Sequence, residues 1–129
     1  MRQVVGAVII RDGRVLAARR TSPGSHAGRW EFPGGKVEPD ETMATALARE
    51  IDEELGCAIE IVGWLPLSVP VRPDVVLTLA QARLVDGEPV AGPDHDALRW
   101  LAADALDDVA WLDADVAFLD EVRSLLLSS

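Results

Sequence analysis

Gly35-Lys36-Val37-Glu38-Pro39-Asp40-Glu41, then seven residues, then Arg49-Glu50-Ile51-Asp52-Glu53-Glu54-Leu55-Gly56-Cys57: this stretch decides how the 129-residue chain folds. A glycine turn leads into one helix, which the pattern predicts over residues 42–55. Asp40 or Glu41 supplies the acidic group that favours a helix start, and Gly56 supplies the stop. On a wheel of about 100° per residue, Glu54 lies about 40° to one side of Glu50 and Glu53 about 60° to the other. Three carboxylates therefore share a face. Ala44, Leu47, Ile51 and Leu55 form a separate apolar face that can pack on a sheet.

Working outward, Val4 to Arg11 and Arg14 to Arg20 are β-rich runs joined by Asp12-Gly13, a two-residue hairpin signal. Thr21 to Gly28 reads as a loop. Trp30-Glu31-Phe32 is a short extended piece, broken by Pro33-Gly34-Gly35. Two strands are expected over about 59–69 and 74–84, a turn at Asp86-Gly87-Glu88-Pro89, and a last strand over 98–101. A C-terminal amphipathic helix is expected over 115–127, with Val116, Leu119, Val122 and Leu126 on its apolar stripe. The expected fold is a single α/β domain spanning 1–129, with a mixed sheet between helices in an α/β/α sandwich. Trp64, Trp100 and Trp111 are expected in the core, and Cys57 as a small buried apolar residue.

Composition removes several function classes. An apolar content of 49% supports a sizeable core and argues against disorder. No apolar run approaches the length of a membrane span, which points to a cytoplasmic protein with no membrane partner. One cysteine excludes an internal disulfide. The net charge is −10, so the chain lacks the cation excess that binds polymeric nucleic acid. A small anionic substrate is still admissible, because a carboxylate cluster recruits Mg²⁺ and the metal attracts phosphate. Lys36 is the only lysine, which reads as genome bias.

Three carboxylates on one helix face repel one another unless cations offset them. Hard oxygen ligands at this density suit Mg²⁺, with Mn²⁺ as a substitute. A solvated acidic face is the plainer reading of a Glu-rich helix. Here, however, Gly35, Glu41, Arg49 and Gly56 also stand at fixed distances. The whole stretch fits G-x5-E-x7-R-E-U-x-E-E-x-G-U, U being apolar, at every specified position. An accidental match occurs in roughly one window in a billion at average residue usage. The chain thus resembles the Nudix hydrolases.

The resemblance implies a metal-dependent enzyme that directs water at a phosphorus of a phosphoanhydride. It assigns Glu50, Glu53, Glu54 and the Gly34 carbonyl to metal, and Arg49 to orienting Glu50 by a charge-assisted hydrogen bond. Glu41 ties the loop to the helix; Glu38 and Asp52 fall outside the motif and read as solvated. A carboxylate is the natural general base, with Glu50 as one candidate and Asp94, in Gly92-Pro93-Asp94-His95-Asp96, as a loop alternative. Arg20 and Lys36 are candidate phosphate contacts, each otherwise a plain surface charge.

Within the family the chain looks most like the short MutT-type branch and its CTP-pyrophosphohydrolase relatives. The likeness includes Ala18-Arg19-Arg20, Ala27 to Lys36, His95 to Trp100 and Trp111 to Asp115. It implies conversion of a nucleoside triphosphate to monophosphate and pyrophosphate, on 8-oxo-dGTP or cytosine and 5-methylcytosine nucleotides. Phe32 is a candidate wall for the base and Asp115 a candidate reader of its edge, or simply the cap of the last helix. The competing readings are hydrolysis of ADP-ribose or dinucleoside polyphosphates, and a non-catalytic nucleotide-binding module. Either a monomer or a homodimer suits the sequence.

Overall fold

A computed structural model describes residues 1–21 and 26–128. Residues 22–25, in the middle of the expected loop, lie outside that range. The strands are β1 (Arg2–Arg11), β2 (Arg14–Arg20), β3 (Trp30–Glu31), β4 (Gly34–Lys36), β5 (Ala58–Arg72), β6 (Val75–Asp86) and β7 (His95–Leu101). The helices are α1 (Met43–Leu55), α2 (Asp113–Val116) and α3 (Leu119–Ser128), with a 3-10 turn at Ala103–Asp108.

β1 organises the sheet. Along one edge it runs parallel to β6, from Arg2 opposite Val75 to Ile9 opposite Ala82. Along the other it changes partner: β4 covers Val4 to Gly6, and β2 takes over at Ile10 and Arg11. β2 carries β3 and β7, and β5 closes the far edge beside β6. Prolines at 66 and 70 are tolerated in β5 because an edge strand has one face of N–H groups free of the ladder. Asp12 and Gly13 both take positive φ, 53° and 73°, as a tight primed hairpin turn requires.

Alternation along β1 feeds two cores. Val5, Ala7 and Ile9 pack with Leu16, Ala80 and Ala82 under α1. Val8 joins Leu77, Leu79 and Phe118, Leu119, Val122 and Leu126 on the opposite face. The mixed sheet between helices is the expected α/β architecture.

Several details differ from the sequence expectation. α1 is capped by Thr42, whose hydroxyl accepts from the Thr45 N–H at 3.1 Å, not by Asp40 or Glu41. Gly56 ends it as expected, in a left-handed conformation (φ 68°). Its buried residues are Ala46, Leu47, Ile51 and Leu55; Ala44 is exposed. The apolar face is thus rotated toward Glu50 and Glu54, which lie between Ala46 and Leu47 on the wheel.

Pro33-Gly34-Gly35 is no simple break, since Gly34–Lys36 forms β4 against β1. The expected C-terminal helix is split by Ala117 and Phe118, so Val116 is exposed and Phe118 is fully buried instead. Trp111 is buried, with its indole N–H donating to the Leu106 carbonyl at 2.7 Å. Trp64 is 38% exposed, and Trp100 is half-buried beneath the Arg11 guanidinium at 4.3 Å. Cys57 is buried, which pushes its thiol up. No helix among the described residues is long and apolar enough to cross a membrane.

Candidate active site

The site is built where β4 passes the acidic edge of α1. β4 lies so close to β1 that a Cβ on Gly34 would fall on the Val5 carbonyl, so a glycine is required there by contact as well as by the motif. A Cβ on Gly35 would displace the Glu50 carboxylate from its present place.

Arg49 is the hub of one half. Its Nε and Nη2 donate to the two oxygens of Glu41 at 2.6 and 2.8 Å, a bidentate pair. Nη2 also donates to the Lys36 carbonyl at 3.0 Å. Nη1 donates to Glu50 at 2.7 Å and to Glu53 at 3.2 Å. Glu41 accepts in turn from the Glu38 N–H at 2.9 Å, tying the loop to the helix. The Arg49 hydrogen bonds hold the Glu41 carboxyl down at about 2 and raise the guanidinium further. Glu38 and Asp52 are exposed.

Glu54 turns away from that hub. One oxygen accepts from the Gly34 N–H at 3.1 Å; the other faces His95 Nδ1 at 3.9 Å. On its far side His95 Nε2 lies 2.8 Å from Glu31, and Glu31 also accepts from Arg20 at 3.2 and 3.3 Å. Burial pushes the Glu54 carboxyl up to about 7, against the pull of His95. Burial also draws the His95 imidazole down, but the Glu31 hydrogen bond and the charges of Glu31 and Glu54 outweigh it and raise the group.

Each expected site residue now has a place. Glu50, Glu53, Glu54, Arg49 and Gly34 come together at one end of α1. Arg20 reaches the same place through Glu31. Asp94 is exposed in the turn before β7, its carbonyl accepting from the Thr21 N–H; His95, the next residue, is the one turned inward. Lys36 is exposed and lines a separate cleft of about 350 Å³ with Arg2 and Arg72, to which none of the acidic cluster contributes.

Phe32 is buried and stacks on Trp111, ring centroids 4.6 Å apart. Asp115 is not a cap: it sits inside α2, buried, and accepts from the Phe32 N–H. Burial pushes its carboxyl up to about 8. The residues just before it, Leu112 to Ala114, line a cleft of about 830 Å³ with His26, Arg29 and Val69 to Arg72.

Glu31 and His95 were not expected at the site. The signals for them are slight: a charge held between two aromatics on a short strand, and a histidine at the start of another. Among the described residues, Glu31, Glu54 and His95 bring one ligand atom each to within 4.8 Å of one another. The donor set fits a divalent cation: carboxylates at hydrogen-bonded, fixed positions, and a fully buried Nδ1 with no partner.

A NUDIX domain profile matches residues 1–122, and the chain belongs to the Nudix family of hydrolases. It is 43% identical to a Mycobacterium tuberculosis protein provisionally named 8-oxo-dGTP diphosphatase 2, over 98% of this chain and 91% of that one. It is 33% identical to the CTP pyrophosphohydrolase of Escherichia coli K12, over 97% and 93%. It is 44% identical to the RNA pyrophosphohydrolase of Acidiphilium cryptum, over 99% and 77%. The crystal structure of a MutT NUDIX hydrolase from Burkholderia pseudomallei superposes with a TM-score of 0.82 at 36% identity, covering 94% of this chain and 97% of that one.

Proposed function

We propose that the protein is a Mg²⁺-dependent nucleoside triphosphate pyrophosphohydrolase, converting an NTP or dNTP to the monophosphate and pyrophosphate. The observation that carries this is the pairing of Arg49 with Glu50 beside a Glu54 anchored on Gly34, all at one end of α1. Water adds to a phosphorus, one phosphoanhydride bond breaks, and the proton leaves to a carboxylate.

Mg²⁺, held by Glu50, Glu53 and Glu54, supplies charge neutralisation at the phosphate oxygens when bound. Arg49 fixes the Glu50 carboxylate, which is the proton acceptor in this reading. Asp94, exposed in the turn before β7, is the alternative acceptor. Arg20 is half-exposed at the edge of the cluster, where it meets the phosphates.

The base lies against Phe32 and is read by Asp115. With its carboxyl raised to about 8, Asp115 carries a proton at neutral pH, and so offers one donor and one acceptor. Cytosine presents the complement, N3 and the N4 amino group. An 8-oxoguanine edge presents it too, O6 and the N7–H, whereas the same edge of unmodified guanine has two acceptors. The names of the Mycobacterium and Escherichia relatives match these two bases. Net charge favours a free nucleotide over the RNA end named for the Acidiphilium relative.

A panel of nucleotides, ADP-ribose, dinucleoside polyphosphates and triphosphate-ended RNA, incubated with Mg²⁺ and followed by pyrophosphate release, tests the reading. Pyrophosphate from 8-oxo-dGTP or cytosine triphosphates is expected. AMP from dinucleotides alone, or no turnover at all, overturns it.

A further inference from the structure

We propose that His95 is a nitrogen ligand to the divalent metal of this site, through Nδ1, with Glu54 as the oxygen ligand facing it and Glu31 holding the ring. The inference rests on reading the site as a metal-dependent centre. The His95 side chain is fully buried. Its Nε2 lies 2.8 Å from a Glu31 oxygen. A carboxylate there fixes the proton on Nε2 and leaves the Nδ1 lone pair for another partner.

Nδ1 has no hydrogen-bond partner in the protein. The Glu54 oxygen at 3.9 Å is too far for a hydrogen bond. Two ligands bound to one ion at about 2.1 Å each are separated by up to about twice that distance, so the gap fits an ion between them. A metal-binding histidine characteristically donates its other ring N–H to a carboxylate, the arrangement Glu31 provides. The second oxygen of Glu54 is already held by Gly34.

A mixed nitrogen and oxygen set favours Mn²⁺, Co²⁺ or Zn²⁺ over Mg²⁺, because imidazole is a softer ligand than carboxylate or water. The box alone, with oxygen ligands throughout, carries no such preference.

Pulsed EPR of Mn²⁺ bound to the intact protein tests this directly. The expected result is coupling from one directly bound imidazole nitrogen, absent in His95→Asn. Mn²⁺ affinity, measured by calorimetry, is expected to fall about tenfold or more in His95→Asn. In Glu31→Gln it is expected to fall about 10–100-fold, with Mg²⁺ affinity less changed in both. Bound Mn²⁺ with only oxygen ligands overturns the proposal, as does failure to bind Mn²⁺. If His95→Asn does not fold, the wild-type spectrum decides. Nucleotide turnover with an oxygen-only spectrum removes the nitrogen ligand and leaves the hydrolase; a nitrogen signal with no turnover does the reverse.

Discussion

The two halves of the acidic cluster differ in kind, although α1 contributes to both. Around Arg49, the carboxylates of Glu41, Glu50 and Glu53 are tied to a guanidinium. Around His95, Glu54 and Glu31 are enclosed, and the Glu54 carboxyl is raised to about 7 while Glu41 is held at about 2. The same residue type thus serves as a fixed counter-charge in one half and as a group poised for a cation or a proton in the other. A guanidinium on the helix itself decides the first case, and burial decides the second.

The largest expected effect comes from breaking the enclosed half. Glu54→Gln removes a charged ligand while keeping an acceptor for the Gly34 N–H, and kcat/KM with Mg²⁺ is expected to fall by about a hundredfold or more; a smaller loss would mean that the Arg49 half does the chemistry. Glu53→Gln tests that half. Its side chain is 57% exposed, so the melting temperature is expected to hold while metal affinity and activity fall. Near-normal activity would remove Glu53 from the metal site.

Arg49→Lys keeps the charge but loses the fork. It is expected to lower both activity, by roughly 10-fold through Glu50, and the melting temperature, through Glu41. A drop in only one of these would separate the orienting role from the structural one.

A subtler effect concerns Asp115, whose carboxyl rises from 3.8 to about 8 on folding. The folded chain then holds a proton that the unfolded chain has lost between those values. Stability from this group is fully present below pH 3.8 and is lost as pH rises through about 8. Asp115→Asn should flatten that slope. Relative to wild type, its melting temperature should be lower at pH 5 than at pH 9 and should gain steadily between them; parallel melting curves would mean that Asp115 titrates normally. The same variant should alter the ranking of bases in the nucleotide panel. Smallest of all, Lys36→Ala should change kcat/KM by no more than about fivefold, the scale of a surface charge; a larger loss would join its cleft to the site.

The Arg49 half was legible because its partners lie within one motif. Glu53, four residues on, stands one helical turn from Arg49, while Glu41 lies just before the helix and is brought to Arg49 by the short loop it ties down. The His95 half was not legible, since Glu31, Glu54 and His95 stand on three elements: the pairing of β2 with β3 and β7 brings Glu31 and His95 together, and the Gly34–Glu54 hydrogen bond ties α1 to β4 beside them. Asp115, left open between a reader of the base and a cap, was not decided for a related reason. As a helix start it looks like a cap, but the chain bends at Ala117 and Phe118 to bury Phe118, and that bend carries Asp115 inward against Phe32.

By itself, then, the sequence determined the hairpin, the helix to within one residue at its start, its clustered carboxylates, the α/β class and the family. Each of these follows from periodicity or from spacing within a short stretch. Only the tertiary structure decided that Glu54 faces His95, that Lys36 faces another cleft, and that Asp115 is buried. These depend on contacts between distant segments, and burial, which sets their charge state, is a property of the packed chain rather than of any window of it.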